Sequence, residues 1–279
     1  MVHIISDSTC DLSHELVTKY NIVILPLYVR LGEEEFLDGV NITPKDIYDW
    51  SDKNEETPKT AAPSIEDISN IYKKYPGDEF IVFTISSSMS ACFNNCRLAA
   101  DSLDISDKCH IIDSMNLSTG IGLMVLRAAE LANEGKSASD IEKEILNMRS
   151  RVRASFVIDT LVYLHRGGRC SSVAALFGTA LKLHPRIAVS DGAMSAEKKY
   201  RGLPKKYIMD YVKDMEDSLK KADRKRVFIT HSGCDKEIVN QVREYLESLH
   251  VFDEILETRA GSVVSSHCGP GTLGVLFVE

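Results

Sequence analysis

Residues 79–90, EFIVFTISSSMS, decide the fold class of this chain. Their first part, EFIVFTIS, is rich in β-branched and aromatic residues and alternates little, which predicts a strand buried on both faces. Hydroxyl-bearing residues follow at once, and the pattern of residues 87–103 then favours a helix. A strand that passes through a polar turn into a helix is the repeating unit of an α/β protein with a parallel sheet.

The same pattern extends to both sides of this stretch. VHIIS at 2–6, NIVILPLYV at 21–29 and CHIIDS at 109–114 predict further strands. Between and after them we expect helices near 13–20, from Thr43-Pro44 to Trp50, over 64–74 with a capping box at Ser64, over 117–134 and over 138–151, and a loop over 51–63. The alternation predicts a three-layer α/β/α domain with a parallel sheet over residues 1–151.

Residues 152–279 show a different order of elements. Strands are expected in ASFVIDT, RVFITHS, DEILETR and TLGVLFV, with a hairpin around Asp191-Gly192. Helices are expected over 171–182, 204–222 and 235–249. This order predicts a second, two-layer α+β domain with a mixed sheet and its helices on one side.

Composition excludes some classes of function. The chain has 279 residues with 41 acidic and 33 basic side chains, a net charge of -8 that argues against nucleic acid and anionic membrane surfaces as partners. No apolar run approaches the ~20 residues of a membrane helix, and the amino terminus resembles a strand and a turn rather than a signal peptide. Seven scattered cysteines are typical of free thiols, so we expect a cytoplasmic protein with no integral membrane segment.

Polar turns follow three of the predicted strands. They are DSTC at 7–10, ISSS at 85–88 and IDS at 112–114. Ligands of open α/β sheets bind outside the carboxyl ends of the strands. The three hydroxyl-rich turns therefore predict one binding edge.

A second polar run, SSHCGPGTLG at 265–274, allows three interpretations: a nucleophilic enzyme, an anion site, or a tight turn without chemistry. Its glycines match G-x-G-x-x-G but lack the context of a dinucleotide site. No G-x-S-x-G motif is present, and His267 has no obvious partner acid in the sequence. The residues alone leave these interpretations open, and with the family resemblance described below we interpret the run as a turn at the mouth of a pocket.

The run LHRGGRCSS at 164–172 has two interpretations. It is either a capped turn with solvated arginines or a site for a phosphate or carboxylate group. Gly167-Gly168 permits a tight backbone turn, and Arg166 and Arg169 flank it. Arginine presents a planar fork that suits such anions.

Taken together, the chain resembles the DegV family of bacterial fatty-acid-binding proteins over essentially its full length. The segments that carry the resemblance are DSTCDL at 7–12, KTAAPS at 59–64, ISSSMS at 85–90, IDSMNLSTGIGL at 112–123, LVYLHRGGRCSS at 161–172, HSG at 231–233 and SSHCGPGTLG. The resemblance implies two domains with a long-chain fatty acid between them. It also implies a separate, DhaL-type fatty acid kinase as partner and a role in phospholipid metabolism, without catalysis by the binding protein alone.

The resemblance further implies roles for individual residues. Thr60 and Ser90 would hold the carboxylate, and Arg169 and His267 would lie near the head group and act toward the kinase partner or in phosphoryl transfer. To the fatty-acid-binding residues we add four from the matching turns: Ser86, Ser118, Gly120 and Ser266. No catalytic residue, metal or cofactor is expected, the ligand being the fatty acid itself.

The sequence departs from the family pattern in places. Ala61-Ala62 stand where the family usually has Ser-Gln, and Ala91–Phe93 where it has Gly-Thr-Tyr. Ser265–Cys268 replace Gly-Thr-His-Thr, so that Ser266 keeps a hydroxyl while Cys268 loses one. The head-group site is therefore kept, and the chain of the preferred ligand is left open.

Two other functions compete with the fatty acid carrier. One is an acyl-transfer or hydrolytic enzyme with Ser90 or Ser266 as nucleophile, and the other is a sensor of a small anion. The predicted helix 171–182 offers apolar candidates to face an acyl chain, which ordinary core packing explains equally well: Val173, Leu176, Phe177 and Leu181.

Overall fold

A computed structural model describes residues 1–174 and 183–279. Its strands are β1 Val2–Asp7, β2 Val23–Leu25, β3 Tyr28–Leu31, β4 Glu34–Leu37, β5 Lys59–Ala61, β6 Glu79–Thr84, β7 Cys109–Asp113, β8 Val152–Val157, β9 His184–Ser190, β10 Ala193–Tyr200, β11 Arg226–His231, β12 Glu254–Arg259 and β13 Leu273–Val278. Its α-helices are α1 His14–Lys19, α2 Pro44–Asn54, α3 Ile65–Tyr72, α4 Cys92–Ser102, α5 Thr119–Asn133, α6 Ala138–Arg149, α7 Val162–Gly167, α8 Ser171–Ala174, α9 Pro204–Lys213, α10 Glu216–Leu219, α11 Lys236–Ser248 and α12 Ser262–Cys268.

The first sheet is parallel, with strand order β2-β1-β6-β7, as predicted. Successive side chains of a strand point to opposite faces, and β6 shows this directly. Phe80 and Val82 pack on the side of α3 and α4, whereas Ile81 and Phe83 pack on the side of α5 and α6. The apolar run EFIVFT is therefore buried on both faces, and the sheet has helices on both sides.

Helix α5 forms a layer between the two main sheets. Its side chains are buried nearly all round, with Arg127 and Glu130 among its few partly exposed positions. A helix that is apolar on every face has to be covered on every face. On one side α5 contacts β1 and β6, and on the other it contacts β8 and β13.

The second main sheet is mixed and has the order β10-β9-β8-β13-β11-β12. Only the pair β11–β12 is parallel among its described strand pairs. In β13, Val275 and Phe277 pack against α9 and α11, while Leu276 and Val278 pack toward α5. The predicted fold class is confirmed, and the division at residues 151 and 152 stays a prediction.

The prediction of one strand over NIVILPLYV is wrong. The run is divided at Pro26 into β2, which joins the parallel sheet, and β3, which joins a separate antiparallel sheet of order β4-β3-β5. Proline has no N–H to donate to a sheet ladder, so a strand cannot continue through it unchanged. The predicted loop over 51–63 likewise contains β5, in which Thr60 pairs with Val29.

Two predictions about helices also need correction. The helix expected over 204–222 is divided into α9 and α10, because Asp214 is held by Tyr200 and Lys198 of β10 and Met215 leaves helical geometry. SSHC at 265–268 is not a turn but the end of α12, and the turn begins at Gly269. Only Ser171–Ala174 of the helix expected over 171–182 lies in the described part, so Leu176, Phe177 and Leu181 lie outside the described residues.

Candidate functional site

A cavity of about 260 Å³ lies where β5, the turn after β6, β10 and α12 meet. Most of its wall is apolar. The side chains that line it are Leu27, Thr60, Ala61, Ala62, Ile85, Met89, Ser90, Ala91, Leu117, Arg169, Met194, Val263, Val264, His267 and Cys268. Four of the residues predicted from sequence, Thr60, Ser90, Arg169 and His267, therefore meet at one cavity.

Thr60 and His267 are in direct contact. Thr60 Oγ1 lies 2.8 Å from His267 Nε2, although the two residues are far apart in sequence. Thr60 is placed by the pairing of β5 with β3, and His267 lies in the last turn of α12. The hydrogen bond thus joins an edge strand of the small sheet to the helix that precedes the GPG turn.

The His267 imidazole is held neutral by its surroundings. Burial, together with the nearby positive charge of Arg169, lowers the pKa of His267 to about 4. Its Nδ1 is buried without a hydrogen-bond partner within residues 1–174 and 183–279. Gly167 lies so close that a Cβ at that position would be 2.4 Å from Nδ1. A neutral imidazole whose Nε2 carries the proton would donate to Thr60 and leave the threonine hydroxyl proton free for a ligand.

The Ser90 hydroxyl is engaged only weakly. It accepts a hydrogen bond from the Cys92 N–H at 3.3 Å and lies 3.3 Å from Cys92 Sγ. A thiol sulfur is a weak acceptor, so an anionic oxygen in the cavity would be a better partner for the Ser90 proton.

Arg169 supplies the only formal charge among the described residues that line the cavity. Its side chain is exposed, and Nη1 donates to the carbonyl of Gly167 at 2.6 Å. This contact agrees with the interpretation of LHRGGRCSS as a capped turn with solvated arginines. Within residues 1–174 and 183–279, the other N–H groups of the guanidinium fork have no partner and could bind a ligand or a second protein.

Four other predicted residues, Ser86, Ser118, Gly120 and Ser266, do not line the cavity, and the three serine hydroxyls bond within the protein. Ser86 Oγ donates to the carbonyl of Gly192 at 2.6 Å, and Ser266 Oγ donates to the carbonyl of Ser262 at 2.7 Å. Ser118 Oγ donates to Asp11 Oδ2 at 2.5 Å.

Gly120 permits a close approach, because a Cβ there would lie 2.2 Å from Asn116 Oδ1. Ser118 also lines a small void of about 20 Å³ that shares Leu117, Val264 and Cys268 with the main cavity. A role of these four residues in ligand binding stays a prediction.

No nucleophile–base pair forms at the two serines considered for an enzyme. In the described part of the chain, neither Ser90 nor Ser266 hydrogen-bonds to a histidine. Thr60 and His267 do form such a contact, but no carboxylate orients Nδ1 there, and an imidazole with a pKa near 4 is a poor general base at neutral pH. In the described residues, neither serine is therefore arranged as an activated nucleophile.

Most of the apolar wall was not predicted from the sequence. Val263, Val264, Met89 and Met194 line the cavity, but Val263-Val264 is only an apolar pair, and each methionine is a single large apolar side chain next to serine. Of these residues, only Val263-Val264 could have been predicted to line the cavity, because the pair directly precedes the polar run SSHC at 265–268.

Several other features bear on function. Within residues 1–174 and 183–279, no group of three His, Cys, Asp or Glu side chains is arranged to hold a metal ion. The same residues include no helix with the length and apolarity that crossing a membrane requires. All seven cysteines are free thiols.

Comparison with known proteins agrees with this geometry. The sequence profile of the DegV family matches residues 1–279. A DegV domain-containing protein of Clostridium perfringens is 35% identical over 280 residues, which cover 100% of this chain and 98% of the relative.

Solved structures are similar over the whole chain. A DegV family protein from Thermus thermophilus, described as binding fatty acid, is 30% identical with a TM-score of 0.91, covering 100% of this chain and 99% of that one. A stearic acid-binding protein from Eubacterium ventriosum is 27% identical with a TM-score of 0.86, covering 100% and 98% of the two chains.

Proposed function

The chain belongs to the DegV family, and from this premise we propose that it binds one long-chain fatty acid, with the carboxylate at Thr60 and Ser90 and the tail along the apolar wall. The observation that carries the proposal is the cavity itself, in which two hydroxyls, one imidazole and one guanidinium interrupt an otherwise apolar lining. Fatty acids bound to similar proteins support the same ligand class.

The energetics suit a carrier. A tail of ~14 methylenes gains on the order of 10 kcal/mol on leaving water. Each good hydrogen bond to the charged head contributes roughly 1.5–3 kcal/mol. The tail therefore supplies most of the affinity, and Thr60 and Ser90 set the orientation.

We further propose that the bound carboxylate is presented to a DhaL-type fatty acid kinase in the cytoplasm, which forms an acyl-phosphate for phospholipid metabolism. Neutral donors hold a carboxylate without neutralising it, so it stays able to attack a phosphate donor. Arg169 is exposed beside the cavity, where its charge would stabilise the transferring phosphoryl group or dock the partner. His267 would assist from the same side.

Ligand binding is tested by titrating delipidated protein with palmitate and with methyl palmitate, which keeps the tail and loses the charge. We expect saturable binding of one palmitate per chain. The ester should bind about 10- to 100-fold more weakly, since it forgoes hydrogen bonds to a charged group. Absence of saturable uptake of palmitate, and of oleate, would refute the proposal.

The role of Arg169 is tested with the kinase and ATP, trapping acyl-phosphate with hydroxylamine. Arg169→Ala should retain fatty acid yet lose most acyl-phosphate formation. His267→Ala should behave similarly but more mildly, because the imidazole is neutral. A folded Arg169→Ala protein that is phosphorylated at the wild-type rate would contradict this role, and a joint loss of stability and ligand would mean that Arg169 only braces the turn.

A further inference from the structure

Helix α12 is held at its amino end by two buried carboxylates from the other half of the chain. Gly261 N–H donates to Asp11 Oδ1 at 2.8 Å, and Ser262 N–H donates to Asp38 Oδ1 at 2.7 Å. The first backbone N–H groups of a helix have no partner inside the helix, and a carboxyl oxygen satisfies them whether or not the group is ionised. The two contacts span 250 and 224 residues of sequence, and they attach α12 to the amino-terminal half.

The second oxygen of each carboxylate is anchored as well. Asp11 Oδ2 accepts from Ser118 Oγ at 2.5 Å, and Asp38 Oδ2 accepts from Ser8 Oγ at 2.8 Å. Asp11 and Asp38 are only 5% and 2% exposed. A Cβ on Gly261 would lie 3.2 Å from Oδ1 of both, so the two carboxylates face the same point of the helix.

The attachment of α12 determines the geometry of the cavity. This helix contributes Val263, Val264, His267 and Cys268 to the wall. Thr60, which His267 contacts, belongs to the amino-terminal half. We propose that Asp11 and Asp38 are positioning residues of the fatty acid site, which fix α12 through its first N–H groups and thereby set His267 against Thr60.

The positioning depends on the charge state of Asp11. Burial raises the pKa of Asp11 to about 8, and the pKa of Asp38 is also raised by burial. The titratable and charged groups that face Asp11 are Asp7, Asp38, Cys10 and Cys268 inside, and His14 and Arg259 in the groove outside. Ionisation of Asp11 therefore puts a buried negative charge beside the Asp38 carboxyl group and weakens the attachment of α12.

The protonation of Asp11 is linked thermodynamically to the stability of the fold. Because the pKa of Asp11 is higher in the folded than in the unfolded chain, its contribution to stability is complete below about pH 4 and is lost as the pH rises to about 8. Asp11→Asn mimics the protonated side chain and keeps an acceptor for Gly261. Asparagine also tolerates the left-handed backbone at this position, where φ is 50°. Asp38→Ala removes one of the two attachments outright.

The test uses NMR of the His267 imidazole in fatty-acid-free protein, assigned by comparison with His267→Gln. In the wild type, the His267 signals should move between pH 6 and 9 with a midpoint near the raised pKa of Asp11, about 8. Asp11→Asn should abolish this movement. In Asp38→Ala, the imidazole should titrate closer to the ordinary histidine range, about 6.5.

The positioning role of Asp11 and Asp38 rests on the proposed function only in taking a fatty acid as the ligand. A palmitate titration therefore tests the proposed function separately from the NMR measurement. Asp38→Ala should bind palmitate about tenfold more weakly, the equivalent of one hydrogen bond. Asp107→Ala, which removes an exposed carboxylate far from α12 in sequence, should bind like the wild type.

Wild-type His267 signals that stay constant from pH 6 to 9, or an Asp38→Ala spectrum like that of the wild type, would overturn the positioning role even if palmitate binds. Failure of the wild type to bind palmitate would instead reject the proposed function and leave the NMR result standing. Should Asp38→Ala not fold, the wild-type pH series and Asp11→Asn decide the question alone.

Discussion

Thr60 and Ser90 differ in what holds them before a ligand arrives. Thr60 already bonds to His267 Nε2, whereas among the described residues the Ser90 hydroxyl has only the Cys92 thiol as an acceptor. A carboxylate would therefore gain a nearly free donor at Ser90 and an oriented one at Thr60. The two hydroxyls should contribute to affinity separately.

Replacing Ser90 by Ala, or Thr60 by Val, should weaken palmitate binding by about 1–3 kcal/mol without abolishing it, because the tail contribution remains. Calorimetric titration measures the change directly. Ser88→Ala is the matched control, since Ser88 is exposed in the same turn and does not line the cavity. Unchanged affinity in both site variants would place the head group elsewhere.

Sequence motifs predict which residues reach the cavity, but not how these residues contact one another. Thr60, Ser90, Arg169 and His267 were identified from family motifs, and they meet at one cavity. Their contacts with one another were not predictable, because Thr60 and His267 are 207 positions apart. The burial that lowers the pKa of His267 depends equally on tertiary packing.

At the scale of elements, strands with strong periodicity or long apolar runs were predicted well. The buried strand β6 and the layer-forming helix α5 follow from their composition. Short elements were missed: β5 has three residues and α12 has seven. Their local signals are weak, and long-range pairing with β3 and attachment to Asp11 and Asp38 stabilise them instead.

The approach of α7 to α12 gives a prediction at this scale. Because a Cβ at Gly167 would lie 2.4 Å from His267 Nδ1, Gly167→Ala should separate the two helices and break the bond between Thr60 and His267. We expect a loss of stability of roughly 1–3 kcal/mol, as for other overpacked sites, measured by urea denaturation.

A double-mutant cycle provides the control for Gly167→Ala. With His267→Ala in the background, the added methyl group finds space, so the same substitution should cost little. An equal cost in both backgrounds would mean that the strain arises elsewhere than at the imidazole.

At the scale of the whole molecule, the cavity depends on both halves of the chain. Thr60 and Ser90 come from the part that forms the parallel sheet, while Met194, Arg169 and His267 come from the part that forms the mixed sheet. The order of strands and helices predicted both sheets. It could not predict that α5 would lie between them. A helix that is apolar all round must be covered on every face, but its sequence does not identify the elements that cover it.

Whether this arrangement holds one fatty acid can be measured by native mass spectrometry of the purified protein. We expect a complex whose mass exceeds that of the polypeptide by one long-chain fatty acid, which is released into an organic extract on denaturation. A polypeptide mass without any such adduct, unchanged after incubation with palmitate or oleate, would contradict the binding of a fatty acid.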